Sequence, residues 1–144
     1  MGFAAIRAVA GYLPPQIEKN HMTDRATQAL GIEERHVASS GQAASDLAVL
    51  AAENLFHKYP QAREGIDFVL LCTQQPDYPL PSTSCIVVER LGLPKSVGAL
   101  DYSLGCSGYV YGLALAKGLV EAGLSRRLLL LTSSLYSRSI SSED

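Results

Sequence analysis

The sequence predicts an α/β fold with a mostly parallel sheet, helices on the faces of that sheet and one buried central helix. Strand-like and helical segments alternate along the chain, an order typical of parallel sheets with covered faces. Residues 67–73 and 127–133 form apolar runs of strand length, as in strands that are buried on both faces. Residues 107–122 are apolar around almost the whole helical circumference, which is typical of a buried helix.

The predicted element order is βαβαβαβ. The predicted strands are residues 3–13, 67–73, 97–103 and 127–133. The predicted helices are residues 44–59, 82–91 and 107–122. Pro14 and Pro15 end the first strand, while Gly92 and Gly123 follow the last two helices, where glycine readily adopts the left-handed conformation of a helix end.

The helix over residues 44–59 has the clearest periodicity. Ser45 and Asp46 are its candidate N-terminal caps, and Ser82 is the candidate cap of the next helix, because short polar side chains accept hydrogen bonds from free helix N–H groups. The residues at helical spacing in the first of these helices are Leu47, Leu50, Ala51, Asn54 and Leu55. Residues 74–81 contain three prolines and are predicted to form a loop. Residues 20–32 are polar, and their pattern favours neither a helix nor a strand.

Composition restricts the possible classes of function. The 144 residues are 47% hydrophobic and 18% charged, with a net charge of −2, so one globular domain over residues 1–144 is expected. There is no basic stripe for a nucleic acid or an anionic membrane, no signal peptide and no apolar run long enough to span a bilayer. Three cysteines at irregular spacing imply no disulfide framework, so a cytoplasmic location is expected. No metal-ligand spacing and no nucleotide-binding fingerprint are present.

Cys106 is the leading candidate for chemistry. It lies just beyond the third predicted strand and just before the helix of residues 107–122. Ligands of parallel sheets gather at the carboxyl ends of strands, and a helix N-terminus favours the reactive thiolate form of cysteine. The alternative is an inert buried thiol. An esterase elbow is excluded because Leu104, and not glycine, stands two residues before Cys106.

The other cysteines and the histidines are weaker candidates. Cys72 closes an apolar strand and is expected in the core, whereas Cys85, near a helix start, is a weaker rival nucleophile. The histidines, expected to have structural or surface roles, are His21, His36 and His57. Asp77 and Asp101 are isolated carboxylates, so no acid/base pair is indicated. A nucleophile without a base suggests that another segment or another chain completes the site.

Gly108 and Gly112 lie one turn apart on the helix that follows Cys106. They leave a bare strip of backbone that allows close packing, and another helix is the expected neighbour. A tightly packed helix would also be a rigid support for a reactive thiol.

Five segments of the chain, spread over residues 4–139, resemble the N-terminal half of the β-ketoacyl-acyl-carrier-protein synthase III family of the thiolase-like superfamily. The segments are AGYLP (10–14), GIEERH (31–36), LPST (80–83), LGL (91–93) and DYSLGCSGY (101–109). The last segment is the most specific, and the order of all five is that of the family.

The resemblance implies a chemistry and a set of roles. The cysteine matching Cys106 takes an acyl group as a thioester, and its backbone N–H contributes to the oxyanion hole. Malonyl-carrier protein then loses carbon dioxide, and the carbanion attacks the thioester. The substrate is an acyl-CoA or acyl-carrier thioester, with acyl carrier protein as partner and no cofactor. The family is dimeric, and the residue matching Leu80 contacts the acyl pocket across the dimer. The central helices of the two halves pack together, which would cover Gly108 and Gly112.

Two features keep alternatives open. The family's histidine and asparagine have no counterpart in this chain, so it is expected to be inactive alone in the full condensation. The chain is also short between Asn20 and Gly31 and contains no tryptophan, although tryptophan and arginine commonly hold the CoA adenine in that region. The alternatives are a hydroxymethylglutaryl-CoA-synthase-like condensing enzyme and a non-catalytic scaffold half that pairs with a second polypeptide.

Overall fold

A three-stranded parallel sheet lies at the centre of the molecule. The computed structural model describes residues 3–20 and 25–136. Strand β3 (Phe68–Cys72) lies between β4 (Gly98–Tyr102) and β5 (Leu128–Thr132). In register, Phe68 is opposite both Gly98 and Leu128. The predicted parallel sheet and the strands within residues 67–73, 97–103 and 127–133 are therefore confirmed.

Helices cover both faces of this sheet. Helix α2 (Ala44–Lys58) and helix α3 (Thr83–Arg90) pack together over one face, where a hydrophobic core forms around Val69 and Leu71. Because side chains alternate along a strand, Cys72 points to the opposite face, which helix α4 (Gly108–Glu121) covers. Asp46 and Arg90 form an ion pair of 2.7 Å between α2 and α3.

The buried face of α2 differs from the face that the sequence suggested. The residues expected on it are only partly buried or exposed, and Asn54 donates a hydrogen bond to the Gly11 carbonyl oxygen over 3.1 Å. The buried residues of α2 are Ala44, Ser45, Ala48, Val49, Ala52 and Phe56. Small side chains allow the helix to approach its neighbours closely, so the largest side chains are not the most buried ones. Asp46 does act at the helix start, where it accepts the Ala43 N–H over 2.6 Å.

The prediction of a strand over residues 3–13 is wrong. This segment joins neither sheet, and the apolar side chains of Phe3, Ile6, Val9 and Leu13 are exposed, with Phe3 at 94%. A strand needs a neighbour for its backbone groups, and local sequence alone does not supply one. A cavity of about 1370 Å³ is lined by this segment together with residues of α2, α4 and β5. The first paired strands are instead β1 (Gln16–Lys19) and β2 (Glu34–Val37), which are antiparallel and flank α1 (Arg25–Leu30).

The prediction of a buried central helix is also wrong for this chain. All fourteen residues of α4 are described, and only Gly108 and Gly112 among them are buried. The sheet covers one side of α4, while Val110 on the outer side is 66% exposed and Tyr111 is 58% exposed. None of the described helices is both long and apolar enough to cross a membrane.

Candidate active site

Cys106 occupies the place that the sequence predicted. Strand β4 ends at Tyr102, and α4 begins at Gly108, so Cys106 lies in a short turn between a strand end and a helix start. Its side chain is exposed to solvent. The Gly108 N–H donates a hydrogen bond to the Gly105 carbonyl oxygen over 2.8 Å and closes the turn around Cys106. The thiol is therefore accessible to solvent and lies directly before the first turn of a helix.

Two side chains beneath this turn bind its backbone on either side of Cys106. The Tyr102 hydroxyl donates a hydrogen bond to the Gly108 carbonyl oxygen over 2.7 Å. The Cys72 thiol donates a hydrogen bond to the Leu104 carbonyl oxygen over 3.2 Å. Burial, reinforced by the neighbouring Cys72, raises the pKa of Tyr102 to about 12. The Tyr102 hydroxyl therefore stays protonated near neutral pH and can donate its hydrogen bond to Gly108.

Gly108 and Gly112 pack against the sheet, and the expectation of a helix as their neighbour is wrong for this chain. A Cβ atom on Gly108 would lie 2.3 Å from the Cys72 sulfur. A Cβ atom on Gly112 would lie 2.1 Å from the Tyr102 hydroxyl oxygen. These separations are far below van der Waals contact, so glycine at both positions allows α4 to lie directly on Cys72 and Tyr102.

The carboxyl ends of all three parallel strands meet around the turn. Gln74, just beyond β3, places its side-chain amide within 3.7 Å of where a Cβ atom on Gly105 would lie. The Gln74 backbone N–H donates to the Ser134 hydroxyl over 3.3 Å, and the Tyr136 hydroxyl donates to the Gln74 side-chain oxygen. Gln74 was not among the residues predicted from the sequence, although its position directly after a buried strand is typical of site residues in parallel sheets.

A carboxylate on β4 binds the start of α3, directly after the loop that carries Leu80. Asp101 accepts the backbone N–H groups of Thr83 and Ser84 over 2.6 and 2.7 Å. Asp101 therefore caps α3, and the expected cap by the Ser82 side chain is not formed. Asp77 likewise accepts the Ser45 N–H at the start of α2 over 3.1 Å. Both carboxylates serve helix ends and do not form an acid/base pair. Leu80 itself is 84% exposed.

Of the remaining candidates, Cys72 lies beneath this turn, whereas Cys85, His36 and His57 belong to α3, β2 and α2. Cys72 is buried, as expected, whereas Cys85 is exposed on α3. His36 lies in β2, with its Nδ1 atom 2.6 Å from the Pro14 carbonyl oxygen. His57 is exposed in the last turn of α2, and His21 lies outside the described residues. The large cavity beneath residues 3–14 is not lined by Cys106. The described residues hold no group of three side chains suited to a metal ion.

Comparison with known proteins gives the family. The sequence model for 3-oxoacyl-[acyl-carrier-protein] synthase III matches residues 100–144. β-Ketoacyl-[acyl-carrier-protein] synthase III of Aliarcobacter butzleri is 36% identical over 95% of the chain, and the protein of the same name from Caldanaerobacter subterraneus is 37% identical over 98%. The chain matches the N-terminal half of the β-ketoacyl-acyl-carrier-protein synthase III family. It spans 44% and 45% of those two relatives.

The fold of the synthase III family is also shown by solved structures. A crystal structure of a 3-oxoacyl-(acyl-carrier-protein) synthase III superposes with a TM-score of 0.85 at 47% identity, over 95% of this chain and 43% of that one. The Thermus thermophilus enzyme gives a TM-score of 0.85 at 35% identity, over 94% of this chain and 44% of that one. The predicted thiolase-like α/β class is therefore confirmed.

Proposed function

We propose that this chain is the nucleophile-bearing half of a β-ketoacyl-ACP synthase III-type acyltransferase in fatty-acid or related biosynthesis. The observation that supports this function most directly is the placement of Cys106. The thiol is exposed, precedes the first turn of α4 and lies where three parallel strands end. The relatives that match nearly the whole of this chain are named β-ketoacyl-[acyl-carrier-protein] synthase III.

The proposed first step is acyl transfer to Cys106. The thiolate attacks the carbonyl carbon of an acyl-CoA or acyl-carrier thioester, and a new C–S bond forms. The original C–S bond breaks, and the donor's sulfur leaves as a thiolate that takes up a proton. The Cys106 backbone N–H is one donor to the transient oxyanion. Thioester exchange suits cysteine because sulfur is both a strong nucleophile and a good leaving group.

The proposed second step forms a carbon–carbon bond. Malonyl-carrier protein loses carbon dioxide, and the electron pair of the broken bond attacks the Cys106 thioester. The β-ketoacyl product stays on the carrier protein, and the Cys106 thiolate is released. The substrates supply all the electrons, so no cofactor is needed. The histidine and asparagine for this step are proposed to lie in a second half, so this chain alone does not complete the condensation.

The proposed partners are acyl carrier protein and a second copy of the chain, in the cytoplasm. Leu80, at 84% exposure on its loop, is free to reach an acyl pocket of another protomer. Outside its contact with the sheet, α4 exposes Tyr109, Val110, Tyr111 and Leu115, and several large apolar side chains exposed on one helix usually have a partner. We propose that the remaining part of the family fold covers this face. Without that part, the chain is expected to self-associate through this exposed face, and a strictly monomeric sedimentation profile would count against this.

Peptide mapping after incubation with acyl-CoA or acyl-carrier protein tests the acyl transfer. The expected adduct is on Cys106, is lost in Cys106→Ala and is retained in the matched variant Cys85→Ala, since Cys85 is the other exposed thiol. An adduct on Cys85 alone would contradict the assignment. The absence of any adduct would favour a scaffold half. In the enzyme completed by its second half, malonyl-dependent product supports the synthase, whereas acetoacetyl-dependent product indicates hydroxymethylglutaryl-CoA-synthase-like chemistry.

A further inference from the structure

The turn that carries Cys106 is bound on both sides by one pair of neighbouring side chains. Cys72 and Tyr102 are the last residues of β3 and β4, and they are register partners in the parallel sheet. Cys72 donates to the Leu104 carbonyl oxygen, and Tyr102 donates to the Gly108 carbonyl oxygen. The acceptors lie two residues before and two residues after Cys106, so the pair holds both ends of a five-residue segment.

Helix α4 packs closely on this pair. The missing Cβ atoms of Gly108 and Gly112 would overlap the Cys72 sulfur and the Tyr102 oxygen, at 2.3 and 2.1 Å. The Cys72 sulfur and the Tyr102 oxygen thus occupy the space that side chains at positions 108 and 112 would need. Both atoms therefore lie against the first turns of α4. The hydrogen bonds and the close packing therefore both hold the start of α4 against the ends of β3 and β4.

We propose that Tyr102 and Cys72 are positioning residues, which hold the Cys106 turn against the start of α4 for acyl transfer. This inference rests on the proposed function, because it assigns the pair a role in that reaction. Neither side chain touches substrate in this account: each acts through the backbone of the turn. A held turn keeps the sulfur near one attack geometry, and small displacements of reacting groups lower rates strongly.

The main test compares Tyr102→Phe, which removes only the hydroxyl, with Tyr111→Phe, a matched change on the exposed side of α4. In acylation by a saturating acyl thioester, Tyr102→Phe is expected to lower the maximal rate constant at least fivefold. The half-saturating donor concentration and the final yield per chain should not change. A merely structural role would lower the yield, because part of the protein would be unfolded, and would leave the rate constant of the folded fraction unchanged. That second result would overturn the proposal.

A second measurement is independent of acyl transfer. Iodoacetamide alkylates both exposed thiols, so Cys85 on α3 is an internal standard for Cys106. At neutral pH the ratio of the Cys106 rate to the Cys85 rate is expected to fall at least threefold in Tyr102→Phe and in Cys72→Ala, and to stay constant in Tyr111→Phe. An unchanged ratio in a folded Tyr102→Phe or Cys72→Ala chain would refute the positioning role. If the unmodified chain accepts no acyl group while the ratio falls as expected, the proposed function fails and the positioning of the turn stands.

Discussion

Replacing Gly112 by alanine is the sharpest test of how α4 lies on the sheet. The new Cβ atom would be 2.1 Å from the Tyr102 hydroxyl oxygen and 2.8 Å from a Leu130 methyl carbon. To reach van der Waals contact the hydroxyl must move by more than about 1 Å, which breaks its bond to Gly108. Overpacking costs about 1–3 kcal/mol and the lost hydrogen bond about 1 kcal/mol, while alanine in a helix recovers about 1 kcal/mol. The expected net loss of stability is about 1–3 kcal/mol.

Gly118→Ala is the matched control for this change. Gly118 lies in the same helix, and nothing is within 4 Å of where its Cβ atom would be, so alanine there should stabilise the chain by about 0.5–1 kcal/mol. Urea denaturation followed by circular dichroism measures both free energies of unfolding.

In the Tyr102→Phe background the clashing oxygen is absent. The cost of Gly112→Ala should therefore be smaller there by about 1–2 kcal/mol, a coupling that a double-mutant cycle measures. Equal costs in both backgrounds, or stabilisation by Gly112→Ala, would refute the described packing of α4 on Tyr102.

Three further predictions concern the supports around the site. Asp101→Asn should destabilise the chain by about 1–2 kcal/mol in urea denaturation, because it removes a charged acceptor from the two N–H groups at the start of α3; a change below about 0.3 kcal/mol would contradict the capping role. Ser84→Ala should be neutral or stabilising by up to about 1 kcal/mol, because the buried Ser84 hydroxyl has no partner among the described residues; a large loss of stability would reveal a missing hydrogen bond. For Asp67, burial opposes ionisation, but hydrogen bonds from Ser125 and from the Arg126 and Arg127 N–H groups outweigh it and lower the pKa below its usual 3.8. The stability that Asp67 adds over Asp67→Asn should be complete above pH 3.8 and disappear as the pH falls through the lower folded-state pKa; a difference that grows on acidification would contradict this sign.

Local patterns predicted the elements that depend on neighbours close in sequence. The apolar runs that became β3 and β5 are too short for helices and are bounded by turn residues. Gly92 and Gly123 were expected at helix ends, and both adopt positive φ, at 61° and 76°. Cys106 was found because one sequence segment contains the strand end, the turn and the helix start. These features were predictable because their causes lie within a few residues.

The failures arise where the cause lies far away in sequence. The cap of α3 comes from Asp101, 18 residues beyond Thr83, and no local pattern identifies it. The segment of residues 3–13 has strand-like composition, but composition does not name a pairing partner. The apolar circumference of α4 predicted burial on all sides, whereas within the described chain only the side toward the sheet is covered. The hydrophobic pattern of a helix indicates how much of its surface is apolar, but it does not identify which part of a structure covers that surface.

Intact-protein mass spectrometry of the chain with an acyl thioester tests the central claim most directly. The expected result is a mass increase of one acyl group per chain, which hydroxylamine removes because the bond is a thioester, and which Cys106→Ala abolishes. An adduct of the same size and yield in Cys106→Ala would contradict the assignment of Cys106 as the acyl acceptor.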